Sequence, residues 1–300
     1  MVPKEILYKR AALVQAARLF FIESGYLEVD TPVRLPSIIP ESYIVPFRSE
    51  GKFLQTSPEL CMKRLLACGV PKLLQICKCF REGERGRLHL PEFTMLEWYR
   101  VGADYFDLMD ECEEFFSYIA TSCSKGKEIL YDGKRISLKL PWERLTVGDA
   151  FERYAPVSVD ESIEKGMFEE MLVKHVEPYL GIDRPTFMYD YPVAHGALAR
   201  TKEWDKTVAE RFELYVGGLE LANGFSELTD ANEQRQRFEK ERENIVMQGR
   251  DPGPMPEKFL DALEKIPGAA GIALGLDRLI MLFVGATSID DVVAFVPEQL

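Results

Sequence analysis

FREGERGRLHLPEFTMLEWYR, residues 80–100, crowds Arg81, Glu82, Glu84, Arg85, Arg87, His89 and Glu92 into a short segment. From Glu92 it turns into an alternating apolar run with one carboxylate, Glu97, in what reads as a sheet interior. The preceding KLLQICKCF, residues 72–80, is also strand-like, so the charged segment is the loop joining two strands. A carboxylate inside a sheet is costly unless it meets a cation. The arginines have two readings: a solvated hairpin loop, or a grip on phosphate oxygens, which guanidinium forks match. His89 taken alone is a surface or structural histidine, and Phe93 taken alone is core.

The flanking segments set the architecture. Residues 4–24 have helical periodicity through Ile6, Leu7, Ala11, Val14, Ala17 and Phe21, with Gly25 as the stop. YLEVDTP is a short strand ended by Pro32. QTSPELCMKRLLACG reads as a capped helix, with Ser57 as N-cap, Pro58 first in the helix and Gly69 as terminator. Residues 104–123 form an amphipathic helix with an acidic face. The stretch 125–185 is less regular, with helices near 146–154 and 160–176, and reads as an insertion between two halves of a sheet. PTFMYDYPV, RFELYVGGLELANGFSEL and AAGIALG are further strands. Residues 230–248 are a charged helix, GRDPGPMPE is a surface loop and LDRLIMLFVG is a closing helix. Strands neighbour one another with helices bunched between them. That predicts an α+β fold, a largely antiparallel sheet flanked by helices, in a single domain over 1–300.

Composition narrows the function. A net charge of −12 excludes a general nucleic-acid binder, which shows a basic surface, while leaving room for a local basic patch. No segment approaches the roughly 18 apolar residues of a membrane span, and the N-terminus lacks the form of a signal peptide. The expected compartment is the cytoplasm. Cysteines 61, 68, 77, 79, 112 and 123 form no CxxC pair and read as reduced thiols. Neither GxGxxG nor GxxxxGK[ST] occurs, so a nucleotide would be held by other means.

Two further segments carry chemistry. FELYVGGLELANGFSEL spaces Glu213, Glu220 and Glu227 seven apart, and the Gly217-Gly218 turn must break the strand register between them. Asn223 and Glu227 are polar intrusions in an apolar run. Such carboxylates either face solvent or meet a cation, Mg²⁺ or an ammonium. GAAGIALGLDRLIML puts small residues before a helix start, where backbone can approach a ligand and an anion is favoured. Arg278 in that first turn opposes the helix dipole by about 0.3–1 kcal/mol, so it has another use: a ligand or an ordinary salt bridge.

In this order the segments resemble the three signature motifs of class II aminoacyl-tRNA synthetases. FFIESGYLEVDTP is similar to motif 1, FREGERGRLHLPEFTMLEWYR to motif 2 and GIALGLDRL to motif 3. TSPELCMKRLL and GLELANGFSELTDANEQRQRF resemble the lysyl branch. Motif 1 begins within the first thirty residues, leaving no room before it for an anticodon-binding domain. Together with TSPE and Ala273 in place of the synthetases' Gly, this resembles the truncated paralogue family called PoxA, GenX or EpmA. That family attaches lysine, preferentially (R)-β-lysine, to a lysine side chain of elongation factor P.

The resemblance implies roles residue by residue. Arg81 and Arg278 would be the catalytic arginines, on the α- and γ-phosphates of ATP. His89 and Phe93 would hold the rest of the nucleotide, Phe93 by stacking on adenine. Motif 2 usually has Asn-Glu after its arginine; here the residues are Glu82, Gly83 and Glu84, and Glu82 joins the implied ATP set with Glu84 as its alternative. Glu213 and Glu220 would hold Mg²⁺. Ser57, Glu59, Glu97, Tyr99, Asn223, Glu227 and Ala273 would form the amino-acid pocket, with Ala273 set against α-lysine. The implied chemistry is an aminoacyl-adenylate followed by attack of the acceptor's amine, for which no side chain here is an obvious base, the acceptor's own environment being what would lower its pKa. Motif 1 implies a homodimer, and tRNA is not the expected acceptor. Alternative readings are a minimal core charging tRNA or another small acceptor, and a silent regulatory paralogue.

Overall fold

The computed structural model describes residues 2–123 and 126–300, so the expected opening of the insertion at residue 125 lies outside the described residues. Eight strands make the main sheet: β1 Leu27–Glu28, β2 Lys72–Phe80, β3 Glu92–Val101, β4 Glu143–Thr146, β5 Thr186–Pro192, β6 Val208–Val216, β7 Leu219–Ser226 and β8 Ala269–Gly275. Their spatial order is β1-β2-β3-β8-β7-β6-β5-β4. The pairs at the two edges, β1 with β2 and β5 with β4, are parallel, and every pair between them is antiparallel. The α+β expectation with a largely antiparallel sheet holds. Edge strand β4 comes from the irregular stretch, which therefore extends the sheet as well as interrupting the chain.

Helices α1 Lys4–Glu23, α3 Tyr105–Ser122 and α5 Leu276–Val284 cover one face; α2 Glu59–Ala67 and α4 Ala231–Met247 flank the other. The period of two decides which residues meet them. Leu96 and Trp98 of β3 join Ile272 and Leu274 of β8 and Phe212 and Leu214 of β6 in the core under α1, α3 and α5. Glu97 and Tyr99 consequently point the other way.

Three expectations need correction. The buried face of α1 is Leu13, Ala16, Ala17, Phe20 and Phe21, whereas Leu7 is exposed. A helix apolar on more than one face cannot be oriented by periodicity alone. On α3 the acidic residues do not all face water: Glu111 is buried and accepts from the Tyr26 hydroxyl at 2.7 Å and the Trp98 indole at 2.8 Å. Bonds to a charged group contribute about 1.5–3 kcal/mol each, which offsets its burial. The helix expected over 160–176 is interrupted at Gly166, φ 64°: Val159–Glu164 precedes it, and Phe168–Met171 runs on into a π-helical turn, Leu172–Val176, after it. A helix at Glu257–Leu263 had no clear sequence signal.

Helix α1, which leads into motif 1, is tied to motifs 2 and 3 by one network. Arg10 of α1 pairs with Asp277 at 2.6 Å and bonds Thr94 Oγ1 at 3.0 Å, while Asp277 accepts the Thr94 N–H at 2.7 Å. Asp277 in the first turn of α5 also complements the helix dipole. No described helix is long and apolar enough to cross a membrane.

Candidate active site

Antiparallel register places one residue from each central strand in a line across the exposed face: Glu97, Ala273, Asn223 and Glu213. The neighbouring line holds Tyr99, Gly271, Phe225 and Arg211. These lines floor a cavity of about 550 Å³.

One end of the cavity is rich in carboxylates. Glu97 is 1% exposed and accepts from the Ser57 hydroxyl at 2.7 Å and the Tyr99 hydroxyl at 2.6 Å. Ser57 also receives the Glu59 N–H at 3.0 Å; the helix begins one residue later than expected, at Glu59, with Pro58 rather than Ser57 at its N-cap. Burial, reinforced by the charge of Glu59, pushes the Glu97 carboxyl up to about 8. Glu227, just beyond β7, is likewise pushed up to about 8, chiefly by burial.

Between Glu59 and Glu227 stands Lys63, a residue sequence reasoning missed. Its ammonium pairs with Glu59 at 2.5 Å and with Glu227, and it lies 4.9 Å from the Phe225 ring centre. Burial opposes its charge, but the two carboxylates outweigh burial and raise its pKa. The Glu59–Lys63 spacing was visible; an i,i+4 pair ordinarily decorates an exposed helix face. Gly271 beneath this cluster has no room for a side chain: a Cβ would come within 2.2 Å of the Tyr99 ring and 2.5 Å of Glu227 Oε1.

Cationic groups gather at the other end. Arg81 lies over Phe93 at 5.1 Å, and its Nε is buried without a hydrogen-bond partner among the described residues. Arg278 reaches back from α5 to donate to Leu88 O at 3.3 Å, Glu220 O at 2.6 Å and His89 Nε2 at 2.6 Å. Burial and Arg278 lower the His89 pKa, keeping the ring neutral so that Nε2 can accept. Of the two loop carboxylates, Glu84 lines the cavity and sits 3.8 Å from Arg81. Glu82 is exposed and absent from the cavity wall, because Gly83 at φ 80° turns the chain between them.

The seven-residue glutamate spacing resolves as foreseen: the Gly217-Gly218 turn makes a hairpin that sets Glu213 on β6 and Glu220 on β7. Glu213 is heavily engaged. Its Oε2 accepts from Tyr191 at 2.6 Å and Tyr215 at 2.5 Å, and its Oε1 takes Arg211 at 2.5 Å. Arg211 also bonds Asn223 Oδ1 at 3.2 Å. Glu220 is pushed up by burial and by the charge of Glu213.

Besides the buried Lys63, three residues that do line the wall had no sequence signal. Glu41 lines the cavity with its carboxyl pushed up to about 7 by burial, against the opposing pull of Arg81. Gln234 is buried with neither amide atom partnered among the described residues. His195 follows β5 on a short turn. Each comes from a loop or helix whose approach to the sheet is a tertiary matter.

Among known proteins, the profile of the family described as tRNA synthetases class II (D, K and N) matches residues 2–299. Proteins named "Elongation factor P--(R)-beta-lysine ligase" from Salmonella paratyphi B, Salmonella schwarzengrund and Salmonella dublin are each 39% identical to it over 311 aligned positions. The alignments cover 98% of this chain and 95% of each relative. The sheet that joins three motifs into one cavity and these matches agree: this chain belongs to the class II tRNA synthetase family (D, K and N).

Proposed function

We propose that the protein activates lysine or (R)-β-lysine with ATP and transfers it to a lysine side chain of elongation factor P. The single observation that carries this reading is the polarity of one cavity. Arg81 and Arg278 line one end, and Glu59 and Glu97 line the other, with Glu227 buried behind them on Lys63. The first end suits phosphates, the second a doubly cationic amino acid. The relatives' printed names supply the isomer and the acceptor.

In this reading the substrate carboxylate attacks the α-phosphorus of ATP, forming an aminoacyl-adenylate and releasing pyrophosphate. Arg81 binds the α-phosphate, its unpartnered Nε supplying an uncommitted donor. Arg278 braces the γ-phosphate, and Phe93 and His89 flank the nucleotide. Holding reactants in line and neutralising charge supply most of the rate. Ser57 and Tyr99 orient Glu97 toward the amine, Asn223 meets the substrate's carboxylate end, and Ala273 between Glu97 and Asn223 sets the shape that separates the isomers.

The carboxylates fit Mg²⁺ bound with phosphates. A carboxylate has about four acceptor sites. Glu213 commits three of these to Tyr191, Tyr215 and Arg211, leaving Glu220 as the principal ligand and Glu213 a lesser one. Among the described residues no cluster of three or more His, Cys, Asp or Glu could hold a metal alone. Mg²⁺ ordinarily completes its shell with phosphates and water, and when bound it neutralises phosphate charge.

The exposed apolar residues Leu7, Tyr8, Leu19 and Ile22 on α1 support a homodimer formed through motif 1. In this reading the protein works in the cytoplasm as a single catalytic domain. Mass spectrometry of elongation factor P after incubation with ATP and each lysine isomer tests the reading, with purified tRNA as a parallel acceptor. A lysyl-sized adduct on one lysine of the factor supports it; charged tRNA with an unmodified factor would overturn it.

A further inference from the structure

The transfer step needs a base, because an acceptor lysine is an ammonium ion at neutral pH and has no lone pair until it loses a proton. The cavity wall holds one histidine outside the signature motifs. His195 Nδ1 lies 2.9 Å from Glu169 Oε1, and the ring rests on Phe168 with centres 4.2 Å apart. An imidazole whose Nδ1–H is held by a carboxylate is fixed in one tautomer, with Nε2 carrying the lone pair. Nε2 has no hydrogen-bond partner among the described residues, and both His195 and Glu169 line the cavity. The turn carrying the ring is anchored to the reacting floor: Arg211 donates to His195 O at 2.5 Å and to Asn223 Oδ1 at 3.2 Å. Asn223 lies directly across from Ala273. Three charged groups face this turn: Glu169 beside the ring, Arg211 beneath the backbone, and Arg237 of α4, which bonds Ala197 O at 2.9 Å. Glu169 is held below the usual carboxylate range, chiefly by its bond to His195, so it stays ionised.

We propose that His195, held in place by Glu169, is the base that takes the proton from the acceptor amine in the transfer step. This rests on the adenylate-and-transfer reading above. The ammonium gives one proton to Nε2. The freed nitrogen lone pair bonds to the adenylate carbonyl carbon, and the bond from that carbon to the phosphate oxygen breaks, its electron pair leaving with AMP. The second proton, on nitrogen in the tetrahedral intermediate, passes to water as the amide forms, and the imidazolium returns its own to solvent. No oxidant or further reactant is needed. Glu169 acts through the ring and is a positioning residue.

The test compares the unsubstituted chain with His195→Gln, His195→Asn and Glu169→Gln, using preformed (R)-β-lysyl adenylate and three acceptors. These are elongation factor P, N-acetyl-lysine amide, and hydroxylamine, which is already unprotonated at neutral pH. Loss of a general base slows its step by about 10²–10⁴-fold. Both His195 variants should slow amide formation with the two lysine acceptors by that order at neutral pH, with the deficit shrinking as pH rises. Hydroxamate formation should stay within about twofold, which also reports that the variants are folded. Glu169→Gln should give a smaller loss of the same pattern. Equal loss with lysine and hydroxylamine acceptors, no loss with either, or a deficit independent of pH would overturn the assignment. If the unsubstituted chain acylates N-acetyl-lysine amide but not elongation factor P, the acceptor reading fails while the role of His195 is still read on the small amine.

Discussion

Lys63 and Glu227, each only 1–2% exposed, form a buried ion pair behind Glu59 of the cavity wall. The protein thus keeps a primary ammonium of its own among the carboxylates suited to a diamine. Removing one partner of a buried pair costs about 3–5 kcal/mol, because the other charge is left unpaired. Lys63→Met should therefore lower stability in urea by that amount, and excess lysine should restore part of it. A variant as stable as the parent in urea melts would remove Lys63 from this role.

The raised carboxyl of Glu97 makes binding proton-linked. Glu97 sits at about 8, so it is largely protonated at pH 7. A cationic guest favours its ionised form and must displace that proton. Affinity for the diamine should rise with pH between about 6 and 8, approaching tenfold per unit for each proton released. Calorimetry at pH 7 in buffers of different ionisation heat should report net proton release. For the empty protein the sign is reversed. A folded pKa above the unfolded 4.5 means the native state holds an extra proton on Glu97, so the stability this group contributes is lost as pH rises toward about 8.

Ala273 faces Glu97 on one side and Asn223 on the other. One methyl in a tight pocket discriminates by about 1–3 kcal/mol, or roughly 10–200-fold. Ala273→Gly should raise α-lysine-dependent ATP–pyrophosphate exchange by about tenfold or more while leaving β-lysine within a few-fold. An unchanged ratio between isomers would free Ala273 of any part in selection.

Glu213 and Glu220 should respond differently to the same substitution. Glu220→Gln removes a carboxylate engaged chiefly with Arg278, at 3.6 Å. It should raise the Mg²⁺ concentration needed for half-maximal exchange by about tenfold, equivalent to ~1.4 kcal/mol, with little change in thermal midpoint. Glu213→Gln strips the partner of Arg211 and two tyrosines and should also lower stability by about 2–4 kcal/mol. Mg²⁺ titrations and thermal melts on both variants separate these outcomes. Equal melting behaviour would contradict the division of labour drawn here.

Much of the scaffold could be read from local pattern. Strands 72–80 and 92–101 fall where alternation put them, and the Gly217-Gly218 hairpin is where two consecutive residues of positive φ were needed. The period of two also foretold that Glu97 and Tyr99 share a face, which their 2.6 Å contact bears out. The orientation of α1 was hidden because apolar residues lie on more than one side of it. Lys63 was hidden because an i,i+4 Glu–Lys pair looks the same in sequence whether it is wet or buried.

The sequence by itself determined which atoms could do chemistry: two arginines on separate segments, a set of strand glutamates, and glycines where backbone must come close. Spacing along one chain fixes side-chain direction only within an element. Tertiary structure alone decided that Glu84 rather than Glu82 faces the cavity, that Lys63 stands between Glu59 and Glu227, and that His195 meets Glu169 on its wall. Those contacts join residues from different elements, and their pKa values depend on burial, which exists only once the sheet, the helices and the loops have closed around them.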